Sequence, residues 1–101
     1  MSIYIVDIDN TICKTKGDDY ENAKPYKKRI AKINKLYDEG HTIIYSTARG
    51  SQTGIGWMSL TRKQLKEWGV KYKTVTEKPY CDVFVDDHAI NSEKFFKGDV
   101  L

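Results

Sequence analysis

Cysteine, proline and long apolar runs are scarce in this chain, and each scarcity removes a class of protein. Two cysteines among 101 residues, Cys13 and Cys81, are too few and too far apart for a disulfide scaffold or a zinc site built on paired ligands. Reduced thiols, together with an N-terminus that lacks the basic and small-residue segments of a secretory signal, point to the cytoplasm. No apolar stretch approaches the roughly 20 residues that a spanning helix needs, so a membrane is not expected as a partner. Single-sign charge is also missing: 31% of residues are charged, both signs are interspersed and the net charge is +3. Lys24, Lys27, Lys28, Arg29, Lys32 and Lys35 do cluster, but a solvated helix face explains them more simply than a nucleic acid, which is therefore possible as a partner and not favoured.

What is present suits one compact domain over residues 1–101, with 40% hydrophobic residues to build a core and no room for a second one. Residues 2–8 are apolar, β-branched and free of breakers, which predicts a buried strand running into an acidic loop. Residues 12–24 are rich in turn formers and too short for a separate lid. From Pro25 onward, Tyr26, Ile30, Ile33 and Tyr37 recur at helical spacing up to Gly40, and residues 41–46 predict a second strand. Strand, helix and strand form a right-handed parallel crossover. A Gly/Ser/Thr loop over residues 50–56 then leads to a second helix carrying Met58, Thr61, Leu65 and Trp68, with Ser59 as N-cap and Gly69 as stop. Residues 70–75 and, more strongly, 82–85 (Asp-Val-Phe-Val) predict further strands, and residues 91–96 a short closing helix capped by Ser92. The fold class expected is α/β, a three-layer Rossmann-like arrangement with a mainly parallel central sheet.

The polar residues at the carboxyl ends of these strands are Asp7, Asp9 and Thr11, then Ser46, Thr47 and Arg49, then Lys78, then Asp86 and Asp87. In open parallel sheets ligands bind at that edge. Phosphoryl transfer through a protein nucleophile needs an attacking carboxylate, a divalent cation, donors for the phosphoryl oxygens and a proton shuttle. Asp7, Asp86 and Asp87 offer hard oxygens suited to Mg2+, Thr47 and Lys78 offer donors, and Asp9 lies where it can share the phosphate with Asp7. A polar strand-to-loop turn accounts for Asp7, Asp9 and Thr11 about as well when they are taken alone. It does not account for Thr47, Lys78 and two adjacent acids at other strand ends, since neighbouring carboxylates repel without a compensating cation or donor.

Asp7-Ile-Asp9-Asn10-Thr11 resembles the first signature of the haloacid dehalogenase superfamily, with Asn10 where many members have Gly. Residues 43–47 (Ile-Ile-Tyr-Ser-Thr), Lys78 and residues 83–87 (Val-Phe-Val-Asp-Asp) resemble the remaining signatures in order. The resemblance implies a capless phosphatase of that fold, similar to capsule and polysaccharide-biosynthesis types, acting on phosphomonoesters through an aspartyl-phosphate. It implies Asp7 as nucleophile and Asp9 as acid and base, with Thr11, Thr47, Arg49 and Lys78 on the phosphate. Asp7, the Asp9 carbonyl, Asp86 and Asp87 would hold Mg2+. Without a cap, the substrate expected is a small sugar- or nucleotide-type phosphate, with oligomerisation available to complete the open site. The alternatives are a polynucleotide-end phosphatase of the same fold and a phosphoacceptor or binding module without turnover. Asp9 argues against a receiver-type phosphoacceptor, which lacks a second acid two residues after the first.

Overall fold

The computed structural model describes residues 1–50 and 56–97. Its sheet consists of β1 (Ile3–Asp7), β4 (Thr42–Thr47) and β5 (Thr74–Glu77), all parallel, in the order β1-β4-β5. The register sets Asp7 opposite Ser46 and Ser46 opposite Thr76, so the three strands deliver their carboxyl ends to one level rim. Helix α1 (Lys27–Asp38) joins β1 to β4, and α2 (Met58–Glu67) joins β4 to β5. This is the parallel, crossover-connected α/β architecture expected. The Gly/Ser/Thr loop expected over residues 50–56 falls mostly outside the described residues.

The alternation of a strand puts Val6, Tyr45 and Val75, paired across the register, on one face, where they are buried with Ile43 under Ile30 and Ile33 of α1 and Leu65 of α2. Ile3 and Ile5 point the other way and are each 70% exposed. The described residues thus furnish helices on one face of the sheet, and the second helical layer of a three-layer fold is not furnished among them.

Helix α1 begins two residues later than Pro25. That proline is held in β3 (Lys24–Pro25), antiparallel to β2 (Cys13–Lys14), and the Tyr26 amide donates to the Ile12 carbonyl, which keeps the chain extended until Lys27. The 12–24 connection is therefore a small hairpin enclosing a 3₁₀ turn at Tyr20–Asn22, folded back toward the rim. The closing helix α3 (Ser92–Phe95) is capped by Asn91, whose side chain accepts from the Glu93 amide, rather than by Ser92. Two of the clustered basic residues turn inward to hold it: Arg29 donates to the Glu93 carboxylate and Lys32 to the Phe95 carbonyl. Arg29 is buried, with the Tyr26 and Phe96 rings each 4.9 Å from its guanidinium. A wholly solvated basic face is thus corrected at these two positions.

Two strand expectations are also corrected. The weak strand placed at 70–75 lies further on, at Thr74–Glu77, because Gly69 at φ 68° and the Val70 amide bond to the Leu65 carbonyl first close the end of α2. Residues 82–85 form no strand: Val83, Phe84 and Val85 are 77%, 68% and 92% exposed. Only residues 78–81 separate β5 from this segment, far short of the dozen or more that a parallel crossover ordinarily uses. High β-propensity without a neighbouring strand does not make a strand.

Candidate active site

The rim is shaped by the turn that ends β1. The Thr11 and Ile12 amides both donate to the Ile8 carbonyl, and Asn10 sits at φ 61°. Asparagine is among the few residues that adopt this left-handed conformation at low cost, which is why it can stand where glycine is common. Its side-chain oxygen also accepts from the Thr15 amide. The tight turn buries Ile8 and leaves Asp7 and Asp9 facing one cavity of about 490 Å³, whose other walls include Asp18, Tyr20, Arg49, Trp57, Lys78 and Tyr80.

Both oxygens of Asp7 are engaged. Thr11 Oγ1 donates to Oδ2 at 2.9 Å and Lys78 Nζ to Oδ1 at 2.8 Å. Lys78 reaches β1 because its own amide donates to the Thr47 carbonyl, which carries the chain past β4 just after β5 ends. Thr11 therefore orients the carboxylate, and Lys78 sets a positive charge beside the atom that would attack.

Asp9 is held from the opposite side. Arg49 grips it as a fork, Nε to Oδ2 and Nη2 to Oδ1, each at 2.9 Å, and Thr15 Oγ1 donates to Oδ1 at 2.6 Å. The remaining Arg49 nitrogen donates to Gln64 Oε1 and Thr61 Oγ1, and the Tyr20 ring lies 4.8 Å from the guanidinium. With its side chain at 0% exposure, Arg49 spends its donors within the protein. The resemblance implies a phosphate ligand at this position; in the structure Arg49 positions Asp9. The residues that hold Arg49 were missed by the sequence reading. Thr61 and Gln64 are buried polar positions three residues apart on the core face of α2, a departure from the apolar stripe that signals a buried partner. Thr15 gives no comparable signal inside a polar loop.

The other expected site residues are placed differently. Thr47 is buried, its hydroxyl accepts from the Arg49 amide, and it does not line the cavity. Asp86 and Asp87 are exposed on the segment after β5, where Asp86 accepts from the His88 amide and Asp87 pairs with the His88 ring. They are not brought to Asp7, and no group of three acid, histidine or cysteine side chains among the described residues could hold a metal ion. The donor set for Mg2+ is thus not assembled in this arrangement.

Cys13 approaches Asp9, with 3.7 Å between Sγ and Oδ1, but burial above all pushes its thiol up to about 11. The thiolate needed for nucleophilic attack is then about one part in a thousand at pH 8, so Cys13 is a packing residue. Cys81 is exposed. A disulfide reagent at pH 8 is expected to titrate one thiol in the native protein and two in guanidinium; rapid reaction of both natively would contradict the burial of Cys13.

A family model described as "Mitochondrial PGP phosphatase" matches residues 2–98. The chain belongs to this phosphatase family. Through it the protein falls within the haloacid dehalogenase superfamily and is a hydrolase acting on phosphoric monoesters. A crystal structure from Vibrio cholerae superimposes with a TM-score of 0.86 at 27% identity, covering 96% of this chain and 89% of that one. The PGP phosphatase match and this superposition agree on a Rossmann-like fold with the family's phosphatase chemistry at the strand rim. No curated protein matches. No helix among the described residues is long and apolar enough to cross a membrane.

Proposed function

We propose that this phosphatase works by covalent phosphoryl transfer, with Asp7 as nucleophile, Asp9 as proton shuttle and Mg2+ as cofactor. The observation that supports it most is the pair of carboxylates two residues apart on one cavity, one contacted by Lys78 and the other by Arg49. An Asp7 oxygen bonds to phosphorus as the bond to the leaving oxygen breaks, and Asp9 gives that oxygen its proton. Water then attacks phosphorus, the Asp7–phosphorus bond breaks, inorganic phosphate leaves and Asp9 takes the water's proton. The acceptor contacts that Arg49 and Thr15 make with Asp9 suit the second half directly. The first half requires a protonated Asp9, and so a loosened Arg49 contact.

Charge supports the need for a cation. Among the cavity's walls, Asp7, Asp9 and Asp18 stand against Arg49 and Lys78, three negative to two positive, and a phosphate monoester adds about −1.5 to −2 at neutral pH. Asp86 and Asp87 would enter the cation's shell only if their segment moved toward β1. Release of phosphate from a generic aryl phosphate is the test: activity should fall to background in EDTA and return with Mg2+. Full activity in EDTA would remove the metal from the reading, and no release from any phosphomonoester with Mg2+ would remove the mechanism.

A small sugar- or nucleotide-type phosphate remains the substrate class we favour, with a polynucleotide end as the alternative. PGP, in the name of the matched family, belongs in the same assay.

A further inference from the structure

Resting on that phosphatase reading, we propose that Trp57, Asp18 and Tyr80 form a leaving-group subsite for a neutral, hydroxyl-bearing ring, so that the substrate is a sugar monophosphate with no second anionic group. All three line the same cavity as Asp7 and Lys78, and no step of the chemistry uses them. Trp57 is partly exposed and meets Tyr20 edge to face, with centroids 5.0 Å apart and planes at 74°. Two rings already in perpendicular contact leave no slot to sandwich a flat base. One face of Tyr20 is further occupied by the Arg49 guanidinium. What remains is a single aromatic surface at Trp57, which suits the apolar face of a sugar ring.

Asp18 sets the polarity. It is exposed, and its carboxylate takes part in no hydrogen bond or ion pair among the described residues. Both cations of the cavity are engaged elsewhere, Lys78 on Asp7 and Arg49 on Asp9. The leaving-group end thus carries an uncompensated negative charge. It accepts hydrogen bonds from sugar hydroxyls and repels a second phosphate or a nucleic acid backbone, a selection made partly by exclusion. Tyr80 is exposed on the cavity wall, with its hydroxyl donated to Asp82 Oδ1 at 2.8 Å, which fixes its ring as the opposite wall.

The test compares kcat/KM of the full chain with Mg2+ on hexose monophosphates, hexose bisphosphates, methyl phosphate, PGP and a phosphorylated oligonucleotide. Hexose monophosphates are expected to exceed every other member by at least about tenfold. Trp57→Ala should cut the ratio of hexose monophosphate to methyl phosphate about tenfold, and Asp18→Lys should raise the ratio of bisphosphate to monophosphate about tenfold. Trp57→Phe, which keeps an aromatic surface, should retain most of the preference and serves if the alanine variant does not fold. Equal kcat/KM on hexose monophosphate and methyl phosphate, a preference for the oligonucleotide or PGP, or parallel loss on all substrates in the variants would overturn the subsite while leaving the phosphatase reading intact. No turnover of any member by the wild type would instead overturn the phosphatase reading itself.

Discussion

Asp7→Asn is expected to lower phosphate release by about 10⁴-fold or more, as loss of a covalent nucleophile does in other enzymes, while leaving the protein folded. The two halves of that expectation have separate origins. Asparagine keeps the size of the side chain and one acceptor for Thr11 or Lys78, but its amide is no nucleophile toward phosphorus. Stability changes little because the Asp7–Lys78 pair is partly open to water, with side chains 37% and 32% exposed. Pairs of that kind contribute roughly 0–1 kcal/mol. The measurements are steady-state phosphate release and a thermal melt on the same preparation. Retention of a tenth or more of wild-type activity would exclude Asp7 as the nucleophile. Asp9→Asn separates turnover from mere phosphoacceptance: a protein that only accepts phosphate would label with acetyl phosphate equally well with and without that carboxyl, whereas the shuttle role predicts a labelled intermediate that decays slowly.

The sequence made the strand rim legible because period-two apolar runs and their polar endings are local properties. β1, β4 and the two crossover helices could be placed from Ile3, Ile43, Ile30 and Leu65, and the carboxylates followed from where the strands stop. The Val83–Val85 run failed for the opposite reason. Its composition reads as strand, yet pairing is a property of neighbours, and the short link after β5 gives it none in this structure. The site divides in the same way. Asp7, Asp9 and Lys78 meet because strand ends meet, whereas the tasks of Thr11 and Thr47 depend on hydroxyl directions that spacing does not reveal. Arg49 shows this most clearly. A residue two positions beyond a strand end can point into the cavity or under it, and Gln64, fifteen residues away on another element, decides between them.

Arg49→Ala should therefore act on stability first, costing about 3 kcal/mol, the scale for breaking a buried charge pair by removing one partner. For a domain of this length that is a fall in Tm on the order of 15 °C. Three acceptors lose their donors together: the Asp9 carboxylate, Thr61 Oγ1 and Gln64 Oε1. Asp9 keeps Thr15 as a donor and some access to water, which places the cost at the lower end of the range for such pairs. Activity should fall through kcat, because Asp9 is no longer aimed at the cavity, with little change in KM. Arg49→Lys should sit between, since one ammonium can reach Asp9 but cannot fork to both oxygens and still satisfy α2. Removing Asp9 as well should cost less than the two single changes summed, because the second change removes a charge that the first has already stranded. The opposite pattern, an unchanged melt with KM raised tenfold or more, would mean that Arg49 swings out to hold the substrate phosphate, as the resemblance to other family members implies.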